Sequence, residues 1–253
     1  MPNVDFYVPR IFLYPTLMSK DAAKHKWIYN LRSRFLVFDG PDGSGKSTQF
    51  HRLSNLAHEN GLSTTEVREP GGTPIGEQIR EILLSPQNDE MTLRAEMLLY
   101  MASRAQLAEE NIKPALMDNH LVLVDRFISS TLAYQGTAGG LDPVDILSVG
   151  RIALQDVWPD LVIIFDVDEL TAQERLIGKG KAKKHLESTQ MSLFSDRMEL
   201  KGADYHRKVR QGFLDQAEKN PEAYLVIDAT KSEDQVFDAL IAGLSERAAN
   251  WER

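Results

Sequence analysis

Apolar residues cluster in short runs whose spacing separates strands from helices. Phe35, Leu36, Val37 and Phe38 form an unbroken apolar run with the length and bulk of a buried strand. Leu121–Val124, LVIIFDV at 161–167 and YLVID at 224–228 have the same character, and STTEVRE at 63–69 completes a set of five predicted strands. Between them the pattern turns helical. Thr48 to Asn60 reads as a helix stopped by Gly61, followed by Ile75 to Leu84, Leu93 to Asn119, a helix within 127–135 and another near 143–156. Residues 171–219 are polar and helical, interrupted by a Lys-rich segment, and EPGGTP at 69–74 is a turn cluster. Strands alternating with helices imply βαβ units and an α/β fold with a doubly wound, five-stranded parallel sheet flanked by helices. Ligands of such sheets bind beyond the carboxyl ends of the strands. Residues 1–34 mix aromatic, Pro and basic residues without a sustained period, so they read as an extension of unknown role ahead of a domain spanning 35–253. Surface packing or an overlong start is the expectation, with an import leader as the alternative.

Composition narrows the function. The chain has 253 residues, 42% of them hydrophobic, which is ample for a core. A net charge of -8 argues against a general nucleic-acid-coating role and favours small phosphorylated ligands. There are no cysteines, which excludes disulfides, thiolate metal sites and a cysteine nucleophile. The six histidines show no metal-ligand spacing. No apolar run approaches the roughly 20 residues of a membrane span. These features predict a cytoplasmic protein with neither nucleic acid nor membrane as partner.

The first strand leads directly into FDGPDGSGKST at 38–48, which fits the phosphate-loop pattern. Gly40, Gly43 and Gly45 allow backbone conformations in which successive N–H groups turn inward around phosphate oxygens, with Pro41, Asp42, Ser44 and Thr48 completing the loop. Lys46 would reach the outer phosphates of a nucleoside triphosphate. Ser47 would offer its hydroxyl to Mg²⁺ and open a helix whose positive end faces the same phosphates. The loop leaves open where the terminal phosphoryl group goes.

Further constellations gather at strand ends. In VLVDRFISSTLAYQG, Asp125 and Arg126 end a strand, and Arg126, Ser130 and Tyr134 recur every four residues, with Thr131 and Gln135 beside them. Such a polar face suits a nucleobase and sugar. LLYMASRAQ places Tyr100 and Arg104 at i and i+4, where an aromatic ring and a guanidinium can stack on and hydrogen-bond to a base. A core tyrosine beside a surface arginine would give the same spacing. Arg68 ends a strand just before the REPGGT turn. GKGKAKKH at 178–185 precedes DRME at 196–199, and a cationic segment before an acidic helix is what a phosphate lid needs.

Together FDGPDGSGKST, REPGGT, LLYMASRAQ, VDRF with SSTLAYQG, and DRMELKGADYHRKVRQGF closely resemble the thymidylate kinases, over roughly residues 35–228. The resemblance implies transfer of the ATP γ-phosphoryl group to dTMP with Mg²⁺, in a homodimer. It further implies that Lys46 and Ser47 act on ATP and Mg²⁺, and that Asp42 orients the donor and acceptor or joins Ser47 at the metal. Arg68 and Arg126 would hold the dTMP phosphate. Tyr100 would stack on thymine, Arg104 would contact its exocyclic oxygen, Thr131 and Gln135 would face the base edge, and Tyr134 would pack under the deoxyribose. Asp125 would support the site. Asp196 and the catalytic Glu199 would form an acidic pair on the lid helix.

Two features depart from the family pattern, the lid and the 34-residue extension. Some members place an arginine in the phosphate loop where this chain has Gly43, and others supply that cation from the lid. This chain is similar to the second kind, yet its lid carries Lys179, Lys181, Lys183 and Lys184, with Arg175 and Arg197 at the margins. Lysine neutralises charge but lacks the arginine fork. Two other classes stay open: a deoxynucleoside kinase on the same scaffold, and a nucleotide-binding regulatory module without transfer.

Overall fold

The computed structural model describes residues 26–186 and 201–251. It begins with a 3₁₀ turn, Lys26–Leu31, and strand β1, Phe35–Asp39. Helix α1 (Lys46–Glu59), β2 (Thr64–Arg68), α2 (Pro74–Leu84) and α3 (Leu93–Leu107) follow. A π-helical turn, Ala108–Ile112, joins α3 to α4, Lys113–Met117. Then come β3 (Leu121–Asp125), the short α5 (Ile128–Thr131), a π-helical segment (Leu132–Ala138) and α6 (Pro143–Leu154). The described chain closes with β4 (Leu161–Asp166), α7 (Glu169–Leu186), α8 (Ala203–Lys219), β5 (Tyr224–Asp228) and α9 (Glu233–Ala249).

The five strands form one parallel sheet in the order β2-β3-β1-β4-β5, as the alternation of elements predicts. Alternate side chains of the central strands feed two separate cores. Phe35, Val37, Val122, Val124, Val162 and Ile164 pack on one face of the sheet. Leu36, Phe38, Leu121, Leu123, Leu161, Ile163 and Phe165 pack on the other. Burial on both faces explains why these strands read as continuous apolar runs. The register pairs Arg68 with Asp125 and Phe38 with Asp125, so the polar residues that end β1, β2 and β3 come to one edge.

The structure differs from the sequence expectation in several places. The helix expected over Leu93–Asn119 is interrupted by its π-helical turn just ahead of Pro114, which lacks the N–H a regular α-helix would use. The Lys-rich stretch at 178–185 does not break the helical backbone, which continues through Leu186, because Lys, Ala and Leu favour helix strongly enough to carry Gly178 and Gly180. Helix α9 was missing from the expectation, although its start carries a capping box: Gln235 N donates to Ser232 Oγ, and Ser232 N donates to Gln235 Oε1.

The residues just ahead of β1 also enter the core. Ile28 and Leu31 are fully buried among Leu36, Leu240, Leu244 and Ala248, and Asn30 Nδ2 donates to Ala248 O at 2.9 Å. Arg34 pairs with Asp160 at 2.8 Å and lies over the Trp251 ring. A six-residue turn offers too few apolar positions for a period, so its burial is a tertiary matter. Ile28→Ala should lower the free energy of unfolding by about 2–5 kcal/mol, checked by urea denaturation.

Candidate active site

The phosphate loop leaves β1 and closes over the start of α1. Gly43 has φ +79, and a Cβ there would come within 2.5 Å of Ala172 O on α7. The packing of α7 therefore leaves no room for a side chain at this position. Gly40, at φ +135, is held as closely against Phe165 O, also at 2.5 Å. Among the described residues no side chain caps the N-terminus of α1, whereas α2 and α9 are capped by Thr73 and Ser232. Its first N–H groups face the loop, which suits an anion.

Arg126 organises the opposite wall. Its backbone takes φ +68, a conformation a non-glycine residue holds at a cost of about 1–3 kcal/mol, and its N–H donates to Phe38 O at 2.9 Å. The side chain turns back over the loop. Nη2 donates to Asp42 Oδ1 at 2.5 Å, and Nη1 donates to Gly40 O at 3.2 Å and to Ser130 Oγ at 3.1 Å. Asp39, fully buried, lies 3.4 Å from Nη1 and accepts from Ser129 Oγ and Ser130 Oγ at 2.6 and 2.7 Å. The guanidinium also sits over the Tyr134 ring, 5.4 Å from its centroid, and Tyr134 Oη donates to Asp42 Oδ2 at 3.4 Å. The face expected of Arg126, Ser130 and Tyr134 thus forms, although Arg126 stands ahead of the helix.

These contacts set the charges. Burial disfavours ionisation of Asp42, but Arg126 and Lys46 outweigh it and hold the carboxyl well below the usual carboxylate range. Burial pushes Asp39 up despite Arg126 and its hydroxyl partners. Burial and the neighbouring Arg126 lower the Lys46 ammonium, with Asp42, 3.7 Å away, acting in the other direction. Desolvation raises the Tyr134 phenol, so it remains a donor.

A third group lines the far end. Arg104 is buried: Nε donates to Glu69 Oε2 at 2.7 Å, Nη2 to Thr131 Oγ1 at 3.2 Å and Nη1 to Met101 Sδ at 3.2 Å. The surface-arginine alternative is therefore excluded; Tyr100 is the more exposed of the two. Burial lifts the Glu69 carboxyl to about 7 against the pull of Arg104, and its Oε1 has no hydrogen-bond partner among the described residues. Gln135 Nε2 donates to the buried Glu96 at 2.7 Å. Arg68 is half exposed, and its Nη2 pairs with Glu77 at 3.1 Å.

Asp42, Lys46, Ser47, Arg68, Tyr100, Arg104, Asp125, Arg126, Ser130, Thr131, Tyr134 and Gln135 all line one cleft of ≈ 270 Å³. Arg175 on α7 sits outside this lining, with Nη1 donating to Ser44 O at 3.4 Å and Nη2 to Lys231 O at 3.3 Å. Asp196, Arg197 and Glu199, and the side chains of Lys179, Lys181, Lys183 and Lys184, lie outside the described part of the chain. Sequence reasoning missed Asp39, Glu69 and Glu96. The first two stood inside the quoted FDG and REPGGT stretches, and Glu96 precedes Tyr100 by one helical turn; none could be called buried until the helices and strands were assembled.

The metal expectation paired Asp42 with Ser47. In the structure Asp42 is engaged by Arg126 and Lys46, whereas Ser47 Oγ donates to Asp125 Oδ2 at 3.5 Å and the buried Asp125 Oδ1 has no hydrogen-bond partner among the described residues. A hydroxyl and an under-satisfied carboxylate are the hard oxygen donors that Mg²⁺ takes, together with phosphate and water.

Comparison with known proteins identifies the family. Residues 38–240 match the sequence profile described as thymidylate kinase. The chain is 42% identical to a thymidylate kinase of Finegoldia magna over 215 residues, covering 84% of this chain and 98% of that protein. It is 40% identical to one from a Geobacillus species, covering 86% and 98%. A crystal structure of thymidylate kinase from Ehrlichia chaffeensis superposes with a TM-score of 0.63 at 32% identity, covering 83% and 98% of the two chains. By profile, sequence and fold, the chain belongs to the thymidylate kinase family.

Proposed function

We propose that the chain transfers the γ-phosphoryl group of ATP to dTMP, giving dTDP and ADP for dTTP synthesis. The observation that carries this reading is the continuity of the cleft, in which Lys46 and Ser47 of the phosphate loop share a cavity with Arg68, Arg126, Tyr100, Arg104, Thr131 and Gln135. The loop, from Gly40 to Thr48, takes the ATP phosphates, and Arg68 and Arg126 take the acceptor phosphate. Tyr100 and Arg104 bind the base, and Tyr134 packs under the sugar. The acceptor oxygen is already anionic, so the residues need only bring two phosphates together and neutralise the charge that spreads in the transition state. Asp42 and Asp39 hold Arg126 at the junction, and phosphate binding would restore the Lys46 ammonium to a higher pKa. Ser47 and Asp125 would hold Mg²⁺, which supplies charge neutralisation between the phosphates. The sealed position of Gly43 favours a cation from the lid side, where Arg175 already approaches the loop.

The same reading includes a cytoplasmic homodimer. Helix α3 packs between α2 and α6, and these helices leave Ile75, Ile82, Leu98, Val144 and Ile152 exposed. An apolar surface of this kind suits burial against a second copy. Among the described residues no helix is long and apolar enough to cross a membrane.

ADP release should depend on dTMP when dTMP, dUMP, dCMP, dGMP, thymidine or no acceptor is offered with ATP and Mg²⁺. The thymine methyl group should favour dTMP over dUMP by roughly 10- to 200-fold at most. Lys46→Ala and Arg126→Ala, checked for folding by circular dichroism, should each reduce kcat/KM for dTMP about 100-fold or more. A preference for thymidine would reassign the chain to the nucleoside kinases, and ATP binding without turnover would leave a regulatory module. Asp125→Asn should raise the Mg²⁺ concentration needed for half-maximal turnover, read from a metal titration at fixed ATP. Leu98→Arg should shift the mass measured by light scattering from twice the chain mass to a single copy.

A further inference from the structure

Glu96 takes no part in holding phosphate. It lies near the start of α3 on the face that carries Tyr100 and Arg104 at successive four-residue steps. Thr131 and Gln135 are likewise four apart, at the end of α5 and in the π-helical segment after it. The two faces are tied by side chains: Arg104 donates to Thr131, and Gln135 donates to Glu96. Tyr100, Arg104, Thr131 and Gln135 line the cleft, while Glu96 is buried behind them and does not.

A carboxylate oxygen accepts hydrogen bonds. Gln135 turns its NH₂ toward Glu96, Nε2 donating to Glu96 Oε1 at 2.7 Å, and its own carbonyl oxygen Oε1 is the end of the amide left for a ligand. A glutamine without such a neighbour could present either end, since the two are nearly equal in shape. We infer that Glu96 is a positioning residue for base selectivity, which fixes the Gln135 amide so that the cleft offers an acceptor to the ring N–H of the base. This inference rests on the dTMP reading. Thymine and uracil carry a proton at N3, whereas cytosine carries a lone pair there, which would face the Gln135 carbonyl with no proton between them. In a water-poor site that mismatch is worth on the order of tenfold or more in kcat/KM. Arg104 adds donors suited to the carbonyl oxygen of thymine, so the Gln135 contact is one of two filters against cytosine.

Glu96→Gln keeps the side-chain length and removes the constraint, because an amide at this position can donate to Gln135 or accept from it. With kcat and KM measured for dTMP, dUMP and dCMP, the preference for dTMP over dCMP should fall about tenfold in E96Q, carried by KM. The preference for dTMP over dUMP should stay the same, since those bases share the N3 proton. A purely structural role would lower turnover of all three together, and an unchanged dTMP-to-dCMP ratio in folded E96Q would overturn the inference. The wild-type protein gives an independent reading should E96Q not fold. Its Gln135 side-chain NH₂ signals, assigned by their loss in Gln135→Ala, should exchange slowly with solvent and keep their NMR shifts when dTMP is added. A large shift on dTMP binding, with the NH₂ turned to the ligand, would overturn the assignment. A wild-type protein that phosphorylates none of the three nucleotides would sink the dTMP reading itself, and the selectivity inference with it.

Discussion

The Arg126 guanidinium joins the two halves of the cleft. It springs from the end of β3 with a left-handed backbone and reaches across to the phosphate loop after β1, where Asp42, Gly40 O, Ser130 and the buried Asp39 receive it. Removing one partner would leave a buried charge uncompensated, which is far costlier than losing a surface ion pair. The strain at φ +68 persists because these contacts, and the N–H bond to Phe38 O, leave the residue no better conformation. A cation in this position would otherwise have to be immobilised when substrate arrives. Here that ordering is completed during folding, which leaves more of the binding energy for bringing phosphates together.

At and behind this junction lies a set of buried acids. Asp39 braces Arg126, Glu69 braces Arg104 and Glu96 braces Gln135. Each is bonded to a group that lines the cleft, Asp39 and Glu96 from behind the wall and Glu69 from within it, so the donors and acceptors of the wall keep fixed directions. Burial disfavours the ionised forms of Asp39 and Glu69, whose carboxyls are raised, at a cost in stability. The two apolar cores on either side of the sheet offset that cost and supply the rigidity against which such directions can be kept.

The strands were legible because burial on both faces turns them into apolar runs, and the phosphate loop because its glycines and lysine occupy fixed offsets. The clustering of Arg68, Arg126, Tyr100 and Gln135 also followed, since parallel strands bring their carboxyl ends to one edge. Helix α9 was missed despite its Ser232 and Gln235 cap, and the burial of Ile28 and Leu31 despite their apolar character. Both form a layer at the chain's two described ends, and neither end has a period that reveals its partner.

The order of elements, the parallel sheet, the phosphate loop and the residue types that gather at the cleft could be read from the chain alone, because each depends on spacing along it. It took the assembled fold to set Asp42 against Arg126 and Lys46, Asp125 against Ser47, Arg104 on Glu69 and the Gln135 amide on Glu96. Those pairings join residues from different elements, and a carboxylate's partner and ionisation follow from what surrounds it after burial, which spacing along one strand or helix does not encode.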